Sequence, residues 1–161
     1  MRQLFAPWRF AYVTHAGAPG ECVLCTAASG GEDTLTLARG ERTFALLNRF
    51  PYTSGHTMIA PFAHVADLSQ LDAATLAEMM GLVQRVVRAV QQVYQPHGFN
   101  IGFNLGEAAG AGIADHLHLH VVPRWRGDTN FMAVTADVRV LPEDLSETRA
   151  KLRRALEVAD A

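Results

Sequence analysis

Three histidines alternate with apolar residues in segment 116–122, which reads His-Leu-His-Leu-His-Val-Val. Successive side chains of a β-strand point to opposite faces, so a strand here would place His116, His118 and His120 on one face. Imidazole titrates near neutrality, and such a row therefore suits nucleophilic catalysis, proton transfer or metal ligation. The alternative is an ordinary exposed strand face that carries histidines. Seven histidines in 161 residues rarely place three in this register.

The two cysteines of the chain, Cys22 and Cys25, are separated by two residues. In a reducing compartment this spacing is typical of half a zinc site or of a redox motif. A closed zinc site needs two further ligands, which histidines elsewhere can supply. The alternative is a pair of reduced, partly buried thiols.

The elements that must position these residues follow from hydrophobic periodicity. The predicted strands are 34–38, 43–47, 56–60, 99–104 and 116–122. A tight turn joins the first two strands, and Pro61 closes the third. The pattern therefore predicts an α+β fold with a mainly antiparallel sheet.

Two helices complete the predicted scaffold. Asp72 is a plausible N-cap, and apolar residues recur at steps of three and four up to Tyr94, which predicts a long amphipathic helix. Its predicted apolar face consists of Leu76, Met80, Val83, Val87, Val90 and Tyr94. Pro142 precedes a second predicted helix, from Glu143 to about Val158.

Composition limits the class of protein. With 161 residues, 49% of them hydrophobic, we expect one domain that includes an N-terminal arm over residues 1–33 carrying the cysteine pair. The 14 Lys and Arg against 16 Asp and Glu argue against a nucleic-acid partner. No segment approaches the ~20 apolar residues that cross a bilayer, and the N-terminus lacks a secretory signal. We therefore expect a cytoplasmic protein without a membrane partner.

A neutral imidazole beside a glycine-rich loop can attack phosphorus. His118 lies in the middle of the row, so His120 or His56 could hold its tautomer while its other nitrogen acts as the nucleophile. Segment 106–112 would supply backbone N–H groups for phosphate oxygens, with Gly110 and Gly112 among the expected substrate contacts. The expected intermediate is a phosphohistidine that water or phosphate cleaves.

The alternating histidine pattern resembles the signature of the histidine triad superfamily of nucleotide hydrolases and transferases. Segments 44–48, 55–56 and 58–61 are also similar to that family, so the resemblance spans a catalytic core of roughly residues 34–126. It implies a five-stranded antiparallel sheet that continues across a homodimer. Residues 127–161 are then a C-terminal extension with a helix.

The resemblance also implies roles for individual residues. His118 would be the nucleophile that takes the nucleoside monophosphoryl group, with His120 and His56 as supporting imidazoles. Asn48 matches the family asparagine that hydrogen-bonds the ribose. Asn104 matches a polar residue that contacts phosphate near the leaving group.

A zinc site follows from the same resemblance. Zinc-bearing members of the superfamily bind the metal through residues that correspond here to Cys22, Cys25, His64 and His116. The resemblance thus implies a structural zinc and no organic cofactor. If His116 ligates zinc, it is not free for acid–base work, and the metal would fix the start of the catalytic strand.

The chain lacks one residue that is common in the family. Many hydrolases of the family place a glutamine shortly before the triad, whereas segment 110–116 contains none. Segment 109–132 resembles a bacterial branch that includes diadenosine tetraphosphate phosphorylases. This implies cleavage of a dinucleoside polyphosphate at the α-phosphate, with phosphate or water as acceptor. The alternatives are a nucleoside phosphoramidate hydrolase and a non-catalytic nucleotide-binding module.

Overall fold

The computed structural model describes residues 22–30, 35–128 and 143–159. Its helices and strands, in chain order, are α1 (Val23–Ser29), β1 (Thr36–Arg39), β2 (Thr43–Leu47), β3 (Thr57–Pro61), α2 (Ala73–Tyr94), β4 (Gly98–Phe103), β5 (Leu119–Arg124) and α3 (Leu145–Ala159). The remainder of the predicted arm, at 1–21 and 31–33, and segment 129–142 of the predicted extension lie outside the described residues. Within those residues, every helix is too short or too polar to span a membrane.

The five strands form one sheet in the order β1-β2-β3-β5-β4, and all neighbours are antiparallel. This confirms the predicted α+β class and five-stranded antiparallel sheet. Strand β2 is buried on both faces. Ala45 and Leu47 belong to the core under α2 and α3, whereas Phe44 and Leu46 pack in a second cluster with Leu24 of α1.

The histidine segment departs from the prediction, because β5 begins only at Leu119. The N–H of Leu117 donates at 2.6 Å to the carbonyl oxygen of Val65, a residue in the loop after β3. Of the three histidines, only His120 therefore lies within the strand. The segment that carries His116 and His118 is held by that loop instead.

Helix α2 has the predicted N-cap, since the side chain of Asp72 accepts from the Thr75 N–H at 2.7 Å. Its buried face is rotated from the predicted one: Met79 is fully buried, whereas Met80 is 51% exposed. The buried residues are Thr75, Met79, Leu82, Val83, Val86, Ala89 and Val90. Apolar residues occupy most turns of this helix, so contact with the sheet, rather than periodicity alone, decides its orientation.

Glu78 of α2 holds the turn between β1 and β2. Its carboxylate accepts from the N–H of Arg42 at 3.0 Å and from the N–H and hydroxyl of Thr43 at 2.8 and 2.6 Å. Burial raises the pKa of Glu78, but the hydrogen bonds from Thr43 and Arg42 outweigh it and hold that pKa below its usual value. The helix is thereby fixed to the hairpin through a charged acceptor.

Candidate active site

The candidate site lies on the face of the sheet opposite α2. Leu119 and Val121 belong to the core under that helix. Because side chains alternate along a strand, His120 between them points to the other face. There it is paired in register with Met58 of β3, a member of the α1-side cluster.

The ring of His118 is oriented by the backbone. Its Nδ1 lies 2.8 Å from the carbonyl oxygen of His116. A carbonyl oxygen can only accept, so Nδ1 carries the proton and Nε2 holds the lone pair. Burial lowers the pKa of His118, because the charged form is poorly solvated there. His118 thus presents a neutral imidazole with its lone pair on Nε2.

His56 and His120 form a second pair, 2.9 Å between Nε2 of His56 and Nδ1 of His120. The backbone N–H of Tyr52 donates to Nδ1 of His56 at 3.1 Å. In a neutral His56, the proton is therefore on Nε2 and is donated to His120. It follows that His120 carries its own proton on Nε2. The backbone N–H of Tyr52 thus determines which ring nitrogens of His56 and His120 carry protons.

Electrostatics keep His120 uncharged. Burial, and to a lesser degree the neighbouring His118, lower the pKa of His120 to about 4. The rings of His118 and His120 meet edge to face, with centroids 4.9 Å apart. At neutral pH the pair therefore combines a ring nitrogen that can attack with an adjacent N–H that can donate.

The loop between β2 and β3 supports the hydrogen-bonded pair of His56 and His120. Sequence reasoning missed Tyr52, whose ring centroid lies 4.6 Å from that of His56 and 6.2 Å from that of His120. The only sequence signal was an aromatic residue four positions before His56. Asn48 is buried, and its side-chain oxygen accepts from the Phe50 N–H at 2.9 Å, which shapes the start of the loop.

The other predicted substrate contacts lie after β4. Asn104 directly follows Phe103, whose partner in the sheet is Leu119, so Asn104 lies beside the start of β5. Gly110 has a left-handed backbone (φ 87°), and its N–H donates to the carbonyl oxygen of Glu107 at 2.9 Å. That amide is used within the loop, which differs from the expected phosphate cradle. Gly112 lies in the same loop and is partly buried.

The four predicted metal ligands come together. The ligand atoms of Cys22, Cys25, His64 and His116 all lie within 4.8 Å of one another. Nδ1 of His116 is 3.2 Å from the Cys22 sulfur and 3.5 Å from the Cys25 sulfur, and Nδ1 of His64 is 3.2 Å from the Cys25 sulfur. A tetrahedral zinc site with its usual bond lengths has ligand-to-ligand edges of about 3.3–3.8 Å.

The donor chemistry of this cluster fits a metal ion. Nε2 of His116 lies 2.9 Å from the Pro61 carbonyl oxygen, so it carries the proton and leaves Nδ1 available as a ligand. His116 is fully buried, and both cysteines are free of disulfides. Two thiols and two imidazoles are the donor set that zinc favours. The cluster could therefore hold a metal ion.

Fold and site together define a histidine triad protein. The HIT domain family matches residues 31–127, and the chain belongs to this family. The family consists of nucleotide hydrolases and transferases, so the chain is an enzyme of that class.

Three individual proteins are similar to this chain over most of its length. A Mycobacterium tuberculosis protein named AP-4-A phosphorylase is 37% identical over 94% of this chain and 83% of its own. A zinc-bound histidine triad family protein of Mycobacterium smegmatis has a TM-score of 0.72 and 35% identity, over 87% of this chain and 96% of that one. A histidine triad nucleotide-binding protein of Sulfolobus tokodaii gives 0.72 and 25%, over 86% and 94%.

Proposed function

We propose that the enzyme cleaves dinucleoside polyphosphates of the diadenosine tetraphosphate type by phosphorolysis. The observation that carries this proposal is the hydrogen bond from Nδ1 of His118 to the His116 carbonyl oxygen, which leaves Nε2 as a fixed nucleophile. Similarity to a relative named AP-4-A phosphorylase over nearly the whole chain supports the substrate and favours phosphate as the acceptor.

In the first step, Nε2 of His118 attacks the α-phosphorus. A P–N bond forms, the P–O bond to the remaining phosphates breaks, and that oxygen takes the electron pair. The His118 ring becomes cationic, and the His116 carbonyl oxygen that accepts its Nδ1–H stabilises this charge. The Nε2–H of His120 donates to a phosphate oxygen as negative charge develops there.

In the second step, an oxygen of inorganic phosphate attacks the nucleotidyl-histidine. The new P–O bond forms, the P–N bond breaks, and its electron pair returns to Nε2 of His118. Diadenosine tetraphosphate then yields ATP in the first step and ADP in the second. With water as the acceptor, the second product would be AMP. Asn48 and Asn104 are the proposed contacts to ribose and phosphate. Gly110 and Gly112 are the proposed loop positions at which the backbone approaches the phosphates, with the Gly110 N–H itself bonded to Glu107.

We further propose that Cys22, Cys25, His64 and His116 hold zinc. A zinc ion with four protein ligands has no open position, so it supplies structure rather than catalysis. The residues do the positioning: His116 offers its ring to the metal and its carbonyl oxygen to His118. The zinc-bound relative supports this assignment.

The edge of the sheet at β4 is a candidate interface for the homodimer that the family resemblance implies. Strand β4 is an outer strand of the described sheet and contains no proline, and its Ile101 is 46% exposed. We propose that the sheet continues across β4 into a second copy of the chain. Exchange of Ile101 for aspartate should convert a dimer to a monomer in size-exclusion chromatography with light scattering. An unchanged mass would contradict this surface.

The test of the reaction is product analysis of diadenosine tetraphosphate with and without inorganic phosphate. ATP plus ADP that form only with phosphate would support phosphorolysis, whereas ATP plus AMP in both conditions would support hydrolysis. The His118→Ala variant should be inactive and should not form the covalent adenylyl adduct in mass spectrometry. If the wild-type protein cleaves only an adenosine phosphoramidate, or binds nucleotide without turnover, the proposal fails.

A further inference from the structure

Three arginines line a pocket beside β1, at the outer edge of the sheet. This arginine pocket has a volume of about 470 Å³ and lies where the end of α1, strand β1 and helix α3 meet. Arg39 comes from β1, whereas Arg149 and Arg153 lie four positions apart on the same side of α3. Within the part of the chain that the structure describes, no carboxylate lines the pocket, although the whole chain has 16 acidic residues against 14 basic ones.

Two of the three guanidinium groups are held in place by backbone oxygens. Nε of Arg149 donates to the carbonyl oxygen of Thr36 at 3.3 Å. The terminal nitrogens of Arg39 donate to carbonyl oxygens near the end of α1. None of the ion pairs among the described residues involves Arg39, Arg149 or Arg153. The pocket therefore carries positive charge that no neighbouring carboxylate in the described part of the chain neutralises.

The arrangement of these charges favours phosphate as the ligand. A guanidinium group matches paired oxygens of either a phosphate or a carboxylate. A carboxylate offers two oxygens in one plane, whereas a phosphate presents oxygens in tetrahedral directions and can meet guanidinium groups from different elements. The volume lies within the range of small-molecule sites, so the pocket has room for more than one phosphate group.

We propose that the arginine pocket is a second anion site, which binds a chain of linked phosphate groups. The backbone contacts of Arg39 and Arg149 orient two of the cations before the ligand arrives, which lowers the entropy cost of binding. Arg153 supplies a third charge from the same side of α3 as Arg149. A cleft lined by one sign of charge also raises the local concentration of oppositely charged ligands.

The arginine pocket is separate from the histidine site. Strands β2 and β3 lie between β1 and β5 in the sheet. Helix α3 packs through Leu152 on the core that contains Leu119, whereas the neighbouring His120 points to the opposite face. A ligand in the arginine pocket would therefore not occupy the place of the substrate.

The experiment is isothermal titration calorimetry of the full chain with sodium tripolyphosphate at fixed ionic strength. Arg153→Gln removes one charge without removing a hydrogen bond to another described residue, and it should weaken binding at this site by about 5- to 30-fold. The double variant Arg149→Gln/Arg153→Gln should abolish binding there. Inorganic orthophosphate should bind the wild-type pocket more weakly than tripolyphosphate, because it meets fewer of the guanidinium groups.

Arg154→Gln is the matched control. Arg154 is exposed on the same helix, and it does not line the pocket. The variant makes the same change of net charge and should keep the wild-type affinity. Tripolyphosphate can also occupy the histidine site, so the difference between Arg153→Gln and Arg154→Gln, rather than binding alone, locates the ligand.

ATP distinguishes two sources of the same chemistry, because it carries three linked phosphates on a nucleoside. If Arg153→Gln weakens both ligands, the pocket accepts the phosphate chain of a nucleotide. If it weakens tripolyphosphate alone, the pocket accepts a free phosphate chain. Either result supports the site.

Three outcomes would overturn the proposal. Tripolyphosphate binding that is unchanged in the double variant would place the ligand elsewhere. Equal weakening by Arg153→Gln and Arg154→Gln would mean that only net charge matters. Orthophosphate that binds as tightly as tripolyphosphate would exclude a site for linked phosphates. The titration needs no turnover, so failure of the proposed function would leave this test intact.

Discussion

Replacement of His56 by leucine should slow cleavage of diadenosine tetraphosphate by about 5- to 150-fold in kcat/KM. In the wild-type protein, Nε2–H of His56 donates to Nδ1 of His120 at 2.9 Å. Leucine has no donor, so this nitrogen stays without its partner in a largely buried position. Such a loss costs about 1–3 kcal/mol, which gives the stated range if the transition state bears the full cost. The physical reason is that His120 then loses the hydrogen bond that keeps its proton on Nε2.

Glutamine at position 56 provides the matched control. Its terminal amide can replace the Nε2–H donor, so His56→Gln should stay within about 5-fold of wild type. Both variants lose the acceptor for the Tyr52 N–H and alter a fully buried site, so their stabilities should fall similarly in urea unfolding. Initial-rate kinetics on folded protein then measure the effect of the hydrogen-bond donor at position 56 alone. If glutamine is as slow as leucine, or leucine is within twofold of wild type, the direction assigned to this hydrogen-bond chain is wrong.

The remaining predictions concern stability. Glu78→Ala leaves the buried N–H and hydroxyl of Thr43 without their acceptor and should lower the free energy of unfolding by about 2–5 kcal/mol in urea; a loss below 1 kcal/mol would contradict the geometry. Bound zinc, measured by native mass spectrometry, should be lost in Cys25→Ser, and Tm should fall by about 2–4 °C per kcal/mol of lost binding; a metal-free wild-type protein with the same Tm would refute the site. The pKa of His120 in the folded protein, about 4, lies below its ordinary value of 6.5, so the unfolded chain binds more protons between these values. His120 should therefore stabilise the fold fully above pH 6.5 and lose this contribution as the pH falls toward 4; unfolding midpoints of wild type and His120→Phe that fall in parallel across this range would contradict this.

Local rules predicted the scaffold well. The N-cap of the long helix depends on one aspartate and an N–H three residues later, so sequence spacing alone reveals it. The turn between β1 and β2 and the approximate positions of the five strands likewise follow from short-range patterns, whereas the five-stranded antiparallel sheet was implied by the family resemblance. Where apolar residues were abundant, as around Met79 and Met80, periodicity allowed more than one buried face. Contact with the sheet then made the choice.

The start of β5 and the role of Tyr52 could not be read from spacing. The strand starts late because Leu117 donates its N–H to Val65, a partner 52 positions earlier in the chain. Tyr52 matters through a backbone amide, which every residue except proline possesses. Sequence patterns carry no information about which backbone group meets which ring.

The sequence by itself determined the kinds of chemistry available: imidazoles at alternate positions, a cysteine pair at ligand spacing, and the elements that carry them. Only the tertiary structure decided what each imidazole does. His116 gains its ligand partner Cys22 from 94 positions away and its Pro61 contact from 55 positions away. An imidazole has two nearly equivalent nitrogens, and its hydrogen-bond partners choose between them. Those partners are set by the folding of distant segments, which is why the three histidines of one run have different available atoms and different proposed roles: a metal ligand, a nucleophile and a hydrogen-bond donor.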